Sequence, residues 1–159
     1  MEIERKFLIS SLPGDLESYP FHQIEQGYLS TEPVVRIRRE DEAYYLTYKS
    51  KGLMVREEYN LPLTREAYLH LLPKIDGILI AKKRYLIPLR ENTSSKETQN
   101  AELTIELDIF EGELAPLVLA EVEFETEEEA NEFIPPEWFG EDVTYSSKYH
   151  NSVLSQRKP

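Results

Sequence analysis

The chain opens with the stretch Glu2-Ile3-Glu4-Arg5-Lys6-Phe7-Leu8-Ile9, in which charged residues fall at every second position. Alternate side chains of a β-strand point to opposite faces of the sheet. One face of this predicted strand therefore carries two carboxylates and an ammonium, from Glu2, Glu4 and Lys6. The other face is apolar and carries Ile3, Phe7 and Ile9. The pattern predicts a strand with one strongly charged face, either solvated or turned towards a ligand.

The same alternation recurs in later strands, where the charges are sorted by sign. Two runs carry basic pairs, at Arg36 and Arg38 and at Lys82 and Arg84. Two others carry acidic pairs, at Glu106 and Asp108 and at Glu121 and Glu123. Mixed signs are typical of a solvated face, whereas sorted signs indicate a ligand. At this point a solvated outer face and an inward, ligand-binding face are both open.

Composition limits the class of protein. The 159 residues suit one domain, 1–159, with a core of its own. The formal charge of -12 argues against nucleic acid as a partner, because phosphate backbones require a broad basic surface. The chain has no cysteine, which excludes disulfides, thiolate metal sites and a thiol nucleophile. With no long apolar run and no leader, we expect a soluble, cytoplasmic protein without a membrane partner.

The secondary-structure pattern is mainly β. Runs rich in β-branched and aromatic residues predict eight strands, at 2–9, 21–29, 34–39, 44–49, 54–61, 79–89, 101–110 and 118–126. Short gaps between them favour hairpins and an antiparallel sheet. Helices are predicted at 64–75, from a capping box at 126–129, and in the tail at 143–154. The polar run 91–100 predicts a hairpin loop. The fold class is mainly β (α+β), a sheet that curls, closes or packs as a sandwich, with a few flanking helices.

A barrel of about eight strands has an interior that holds one small ligand. If helices and loops cover the apolar faces, the charged faces line such an interior. Guanidinium groups bind phosphate oxygens in bidentate fashion, and lysines add point charges. Carboxylates at alternate positions suit a hard divalent cation such as Mg²⁺ or Mn²⁺, which also bridges phosphates. A polyphosphate held between such groups is positioned for hydrolysis of a phosphoanhydride.

With these residues in place, the chain resembles the triphosphate tunnel metalloenzymes of the CYTH superfamily. Glu2-x-Glu4-x-Lys6 matches the ExExK signature of that family, at the amino end where the family has it. Further matches follow in order: Gly27-Tyr28-Leu29, Arg36-x-Arg38, Thr47-x-Lys49, Arg56-x-Glu58, Lys82-x-Arg84-Tyr85, Glu106-x-Asp108, Glu121-x-Glu123 and Tyr149-x-Asn151 with Leu154. Each match alone is unspecific, but their joint order from residue 2 to about 154 is highly specific.

The resemblance implies an eight-stranded antiparallel closed barrel that forms a charged tunnel and hydrolyses a small-molecule triphosphate with a divalent metal. It implies metal ligands at Glu2, Glu4, Glu106, Asp108, Glu121 and Glu123. It implies phosphate-binding residues at Lys6, Arg36, Arg38, Lys49, Arg56, Lys82 and Arg84. Catalytic roles fall to Lys6, Tyr28, Lys49 and Glu58. The general base is left open between Lys49 and a carboxylate-bound water.

Three residues depart from the pattern of the family. Asn60 stands where many relatives carry Glu, and Ser146 and Lys148 stand where the tail usually carries Asp and Arg. These differences bear on the role of the tail more than on the metal site.

Inorganic triphosphate is the expected substrate, because the charged faces carry no apolar or aromatic cluster that would bind a base. Class IV adenylyl cyclase and thiamine or nucleoside triphosphatase activities are alternatives on the same fold. A non-catalytic polyphosphate-binding or nucleotide-binding module is an alternative of another class, although it would not need paired Glu121 and Glu123. The sequence leaves open whether the protein forms a homodimer.

Several charged and polar residues are expected to lie outside the tunnel. Arg5, Arg39, Glu57 and Lys83 fall on the outward parity of their strands. The three histidines have no metal-ligand spacing and are expected at the surface or in packing roles: His22, His70 and His150.

Overall fold

The computed structural model describes residues 1–89 and 103–156. Within them, nine strands form one antiparallel sheet: β1 (Glu2–Leu8), β2 (Phe21–Thr31), β3 (Val34–Glu40), β4 (Ala43–Lys49), β5 (Val55–Arg56), β6 (Glu58–Pro62), β7 (Asp76–Leu89), β8 (Leu103–Glu111) and β9 (Val118–Phe124). Three α-helices accompany the sheet: α1 (Arg65–Leu71), α2 (Glu127–Glu132) and α3 (Asn151–Leu154). The hairpin loop predicted at 91–100 lies outside the described residues.

The strand order closes the sheet almost completely into a barrel. The order is β5-β1-β9-β8-β7-β2-β3-β4-β6, so β5 and β6 lie at the two ends of the sheet. In the chain, Glu57 alone separates these two strands. The backbone N–H of Ser50, after β4, donates to the carbonyl of Glu57, and the Ser50 hydroxyl accepts from the Glu57 N–H. The predicted run 54–61 is therefore one strand of the barrel, divided at Glu57 where it leaves β1 and joins β4.

The apolar faces point out of the barrel and are covered, as the sequence predicts. On the β1, β8 and β9 side, a core cluster includes Phe7, Ile105 and Val122. Side chains from the segments before and after these strands pack on this cluster: Leu16, Tyr19, Phe133, Trp138 and Phe139. Burial of this surface turns the opposite, charged faces inward.

On the far side of the barrel, α1 packs against β2, β3 and β4. The Thr64 hydroxyl accepts a hydrogen bond from the backbone N–H of Ala67, which confirms the predicted helix cap. Tyr68 is buried and donates its hydroxyl to Glu25, whereas Leu69 is exposed. Ile75 packs on the backbone of Gly27, where an added Cβ would lie 2.6 Å from the Ile75 side chain. Gly27 therefore allows the connection after α1 to pack on β2.

A second apolar cluster lies inside the barrel, at one end. It contains Tyr28, Ile80, Phe110 and Leu119 from four strands, together with Leu154 of α3. These residues share the parity of the inward charged residues on the same strands. The carboxyl-terminal segment therefore closes this end of the barrel.

None of the helices in the described part of the chain has the length and apolar character needed to cross a membrane.

Candidate active site

The barrel encloses a cavity of about 430 Å³ that is lined mainly by charged side chains. Thirteen of the fifteen residues predicted for the site line it: Glu2, Glu4, Lys6, Tyr28, Arg36, Arg38, Lys49, Arg56, Glu58, Arg84, Glu106, Glu121 and Glu123. The two others, Lys82 and Asp108, do not. The inward orientation of the charged faces is thus correct, and the alternative of a solvated outer face is wrong.

One wall of the cavity is acidic because three neighbouring strands, β8, β9 and β1, carry the carboxylates. The register places Glu4 opposite Glu123, and Glu106 opposite Glu121. Residues opposite each other in an antiparallel pair have Cβ atoms about 4.5–5.5 Å apart. Like charges at that separation repel, so this wall is unfavourable unless cations or protons neutralise it.

The pKa values of these carboxyl groups reflect the repulsion. Burial, and then the neighbouring Glu121, raise the pKa of Glu4 to about 8. Burial, followed by Glu2 and Glu106, raises the pKa of Glu123 to about 7. The pKa of Glu106 is also raised, mainly by burial. Glu121 differs, because Lys6 and Arg84 outweigh its burial and hold its pKa well below the usual value.

The opposite side of the cavity is basic and is formed by β3 and β7, on either side of β2. Arg36 is only 6% exposed, and its Nε atom has no hydrogen-bond partner among the described residues. The ion pair of Arg36 with Glu58 is long, with 3.8 Å between Nη2 and Oε2. Arg38 donates from Nε to Gln26 Oε1 at 2.7 Å. Burial, and then Arg36 and Arg84, lower the pKa of Arg38 to about 10, so this side chain remains a cation at neutral pH.

Lys82 and Asp108 form a fully buried ion pair that does not line the cavity, with 2.7 Å between Nζ and Oδ2. Burial lowers the pKa of Lys82 to about 7, although the pairing with Asp108 opposes this shift. Arg84 donates to both oxygens of Asp108, at 2.7 and 2.8 Å. Although burial alone raises the pKa of Asp108, Arg84 and Lys82 lower it below the usual value. The direct roles predicted for Lys82 in phosphate binding and for Asp108 in metal binding do not fit these positions. Both side chains instead hold Arg84 in place.

Two lysines pair with the acidic wall. Lys6 Nζ lies 3.3 Å from Glu121 Oε2 and donates to the backbone carbonyl of Tyr149 at 3.1 Å. Lys49 Nζ lies 2.9 Å from Glu2 Oε1 and 4.0 Å from Glu58 Oε2.

Comparison with known proteins agrees with this architecture. The family model described as the CYTH domain matches residues 1–156. The chain belongs to the CYTH domain family. The inorganic triphosphatase of Nitrosomonas europaea is 39% identical over 162 aligned residues, which cover 99% of both chains. The inorganic triphosphatase of Acetivibrio thermocellus is 34% identical, over 96% of this chain and 92% of the relative. A solved structure of an inorganic triphosphatase matches with a TM-score of 0.72 and 35% identity, covering 100% of this chain and 97% of that chain.

The carboxylates of this CYTH chain fit a divalent metal by their chemistry. Carboxylate oxygens are the ligands that Mg²⁺ and Mn²⁺ prefer. Glu4 and Glu123 face each other with raised pKa values, so a bound cation would relieve the repulsion between their carboxylates. Within residues 1–89 and 103–156, no three His, Asp or Glu side chains lie close enough together to form a preformed metal site. Phosphate oxygens and water would therefore complete the coordination, as is usual for Mg²⁺.

Sequence reasoning missed several residues of the CYTH cavity. His22 and His150 both line it, which the sequence did not indicate. The side chain of His22 is 36% exposed and pairs with Asp41, so its predicted surface position agrees with the structure. Burial, and then Lys6 and Arg56, lower the pKa of His150 to about 4, so it is a neutral group among cations. His22 has the same parity on β2 as Tyr28, and this signal could have placed it inside. His150, Asn151 and Ser152 come from the irregular tail, where no periodic pattern gives a direction.

The residues predicted to point outward do so or pair elsewhere. Arg5 donates to the carbonyl of Ala130 and forms an ion pair with Asp142, at 2.9 Å. Arg39 donates from Nε to the carbonyl of Asp41, and the ammonium of Lys83 lies over the ring of Phe21.

Proposed function

We propose that this CYTH protein hydrolyses inorganic triphosphate to diphosphate and phosphate with the help of a divalent metal ion. The observation that supports the proposal is the pairing, across one cavity, of an acidic wall with raised carboxyl pKa values and a basic wall with an unpaired guanidinium Nε on Arg36. The triphosphate complex of a divalent metal provides a cation for the acidic wall and phosphate oxygens for the basic wall.

The phosphate chain binds along the basic wall in this proposal. Guanidinium groups bind phosphate oxygens in bidentate fashion, and the buried Nε of Arg36 gains a hydrogen bond that it lacks without ligand. The remaining contacts come from the cations that line the cavity, which are Lys6, Arg38, Lys49, Arg56 and Arg84. Lys82 does not contact the phosphate chain in this proposal and pairs with Asp108, which holds Arg84.

The candidate metal ligands are the carboxylates that line the cavity, Glu2, Glu4, Glu106, Glu121 and Glu123, of which no three lie close enough together among the described residues to hold an ion by themselves. Asp108 is not among them in this proposal, because it is enclosed by Lys82 and Arg84. A bound Mg²⁺ or Mn²⁺ would neutralise phosphate charge and polarise the terminal phosphoryl group. The relatives leave the choice between the two metals open.

Proton transfer falls to Glu58 and Lys49, which meet at the edge of the basic wall. The side chain of Glu58 is 25% exposed and lies within 4.0 Å of both Arg36 and Lys49. In the proposed step, a water oxygen attacks the terminal phosphorus, the bond to the leaving diphosphate breaks, and Glu58 takes the proton of the water. Lys49 and Lys6 stabilise the negative charge on the phosphate oxygens. Tyr28, at the closed end, limits how deep the phosphate chain enters.

The size and lining of the cavity favour a substrate made of phosphates alone. Its apolar lining is limited to Val34 and Leu86, apart from the rings of Tyr28 and Tyr45. Such a surface does not offer the pair of aromatic or apolar side chains between which a nucleobase would stack. The names of the two relatives, both inorganic triphosphatases, point the same way.

The test is a substrate profile of the whole chain. Inorganic triphosphate, ATP and thiamine triphosphate are each incubated with Mg²⁺, Mn²⁺ or a chelator, and phosphate, diphosphate and cyclic nucleotide are measured. We expect metal-dependent release of phosphate, fastest from inorganic triphosphate. Faster turnover of ATP or thiamine triphosphate would replace the proposed substrate, and no turnover of any of the three would refute the enzyme. A cytoplasmic location and a single domain remain part of the proposal.

A further inference from the structure

Asn151 lies at the centre of a chain of hydrogen bonds that joins both arms of the basic wall. Its Oδ1 atom accepts from Gln26 Nε2 and from Lys82 Nζ, each at 3.1 Å. Gln26 accepts in turn from Arg38 Nε at 2.7 Å. Lys82 pairs with Asp108, which receives two hydrogen bonds from Arg84. A single residue of the tail is thus linked to Arg38 on one side and to Arg84 on the other.

The cations Arg38 and Lys82 fix the orientation of the amide groups of Gln26 and Asn151. Arginine and lysine side chains carry only donors, so a group bonded to them must present an acceptor. Arg38 therefore requires the oxygen of Gln26, which turns the Gln26 amino group towards Asn151. Lys82 and that amino group both require the oxygen of Asn151. The alternative orientation of either amide would place two donors against each other.

The amino group of Asn151 is then left for a ligand. The Nδ2 atom lies on the other arm of the planar amide, away from Gln26 and Lys82, and Asn151 lines the cavity. Among residues 1–89 and 103–156, no hydrogen bond from Nδ2 is found, while Oδ1 accepts two. Arg38 and Arg84, the two arginines linked by this chain of hydrogen bonds, line the same cavity and attract an anion.

We infer that Asn151 is a substrate-binding residue whose Nδ2 amino group donates a hydrogen bond to a phosphate oxygen of the triphosphate. The inference rests on the proposed function and deepens it, because it assigns a role to the tail that closes the barrel. The buried partners Gln26 and Lys82 are positioning residues, since they act by fixing the amide of Asn151 and never touch the substrate.

The variant Asn151→Asp separates the two roles of this side chain. It keeps an acceptor for Lys82 and Gln26, so the buried chain of hydrogen bonds stays intact. It replaces the donor by a carboxylate oxygen that faces a phosphate. We expect the KM for inorganic triphosphate to rise at least about tenfold, the size of a lost hydrogen bond to a charged group, while Tm stays at or above that of the wild type.

The matched control is Asn60→Asp, which adds the same charge to the same cavity. The Oδ1 atom of Asn60 accepts a hydrogen bond from the Thr47 hydroxyl at 2.6 Å, and this acceptor is kept in the variant. Asn60 lies on β6 and, among the described residues, makes no hydrogen bond to Gln26 or Lys82, so we expect a smaller increase in KM. Equal increases in the two variants would show a general effect of charge and would overturn the inference. A second variant, Asn151→Leu, removes donor and acceptor together and should raise KM as well as lower Tm.

Turnover of the wild type, measured in parallel, distinguishes this inference from the proposed function. If the wild type releases no phosphate from inorganic triphosphate with Mg²⁺ or Mn²⁺, the proposed function fails and the inference with it. If the wild type and Asn151→Asp turn over inorganic triphosphate with the same KM, only the inference is refuted.

Discussion

Glu4 of β1 lies directly opposite Glu123 of β9, so the acidic wall is densest where the first and last strands of the chain meet. The pKa of Glu4 is raised to about 8 and that of Glu123 to about 7, each chiefly by burial and then by neighbouring carboxylates. Without a metal ion, both groups hold their protons far above the pH at which an exposed Glu loses its own. The pair thus makes stability and metal binding depend on pH.

Stability without metal should fall as the pH rises. A carboxyl whose pKa is higher in the folded state binds its proton more tightly there, and the stabilisation is complete below the unfolded value of 4.5. For Glu4 it is lost as the pH rises to about 8, at up to about 1.4 kcal/mol per pH unit. In the presence of chelator, the Tm of the wild type should therefore fall relative to that of Glu4→Gln between pH 5 and pH 8.

This comparison cancels the titration of the groups that do not interact with Glu4. A difference in Tm that is constant from pH 5 to pH 8 would contradict the raised pKa.

Binding of Mg²⁺ should release protons at neutral pH. A metal ion binds the ionised carboxylates, so Glu4 and Glu123 must lose their protons as it enters. Calorimetric titration in buffers with different ionisation enthalpies measures the number of protons released. We expect net release from the wild type near pH 7 and less release from Glu4→Gln. Identical release from the two proteins would place the metal away from Glu4.

Loss of the acidic pair should abolish turnover without unfolding the barrel. Glu4→Gln and Glu123→Gln each remove a proposed metal ligand while keeping the size of the side chain. We expect no metal-dependent phosphate release from either variant and a cooperative unfolding transition for both. Activity close to that of the wild type in both would remove these residues from the metal site.

Arg36→Lys should weaken substrate binding although the charge is kept. A lysine lacks the planar set of N–H donors of a guanidinium group. It cannot replace the buried Nε atom, which in the proposal donates to a phosphate oxygen. A hydrogen bond between charged groups contributes about 1.5–3 kcal/mol, so the KM for inorganic triphosphate should rise about tenfold or more. The control is Arg39→Lys on the outer face of the same strand, for which we expect an unchanged KM. The same change in both variants would refute the assignment.

Asp108→Asn should destabilise the protein strongly, because it leaves the buried ammonium of Lys82 without its carboxylate. Removal of one partner of a buried ion pair costs about 3–5 kcal/mol, which urea denaturation detects as a lower midpoint. The double variant Lys82→Met with Asp108→Leu removes both charges and should recover much of this loss. Its KM should still be raised, since Arg84 loses the carboxylate that holds it. A single variant as stable as the wild type would show that the pair contributes little.

Much of the fold and of the cavity follows from strand periodicity. The alternation in Glu2, Glu4 and Lys6 gives the inward face without any structure, and the register then brings Glu121 and Glu123 opposite Lys6 and Glu4. The eight predicted strands match the barrel once the run divided at Glu57 is counted as one.

Depth along the barrel could not be predicted, because parity gives the face of a residue but not its distance from the closed end. Lys82 and Asp108 have the correct parity and yet do not line the cavity. Their position depends on where the tail packs, and the helix predicted at 143–154 does not give the depth at which the tail lies. His150 and Asn151 were missed for the same reason.

The single residue between β5 and β6 sets the circumference of the barrel. Because β5 is hydrogen-bonded to β1 and β6 to β4, the connection at Glu57 joins the two ends of the sheet, and its length limits the inner diameter of the barrel. An insertion of one or two residues there would let the two ends of the sheet move apart and the barrel widen, without a change to any charged side chain. Selection of a bare phosphate chain over bulkier triphosphates therefore depends on backbone length as well as on the chemistry of the walls.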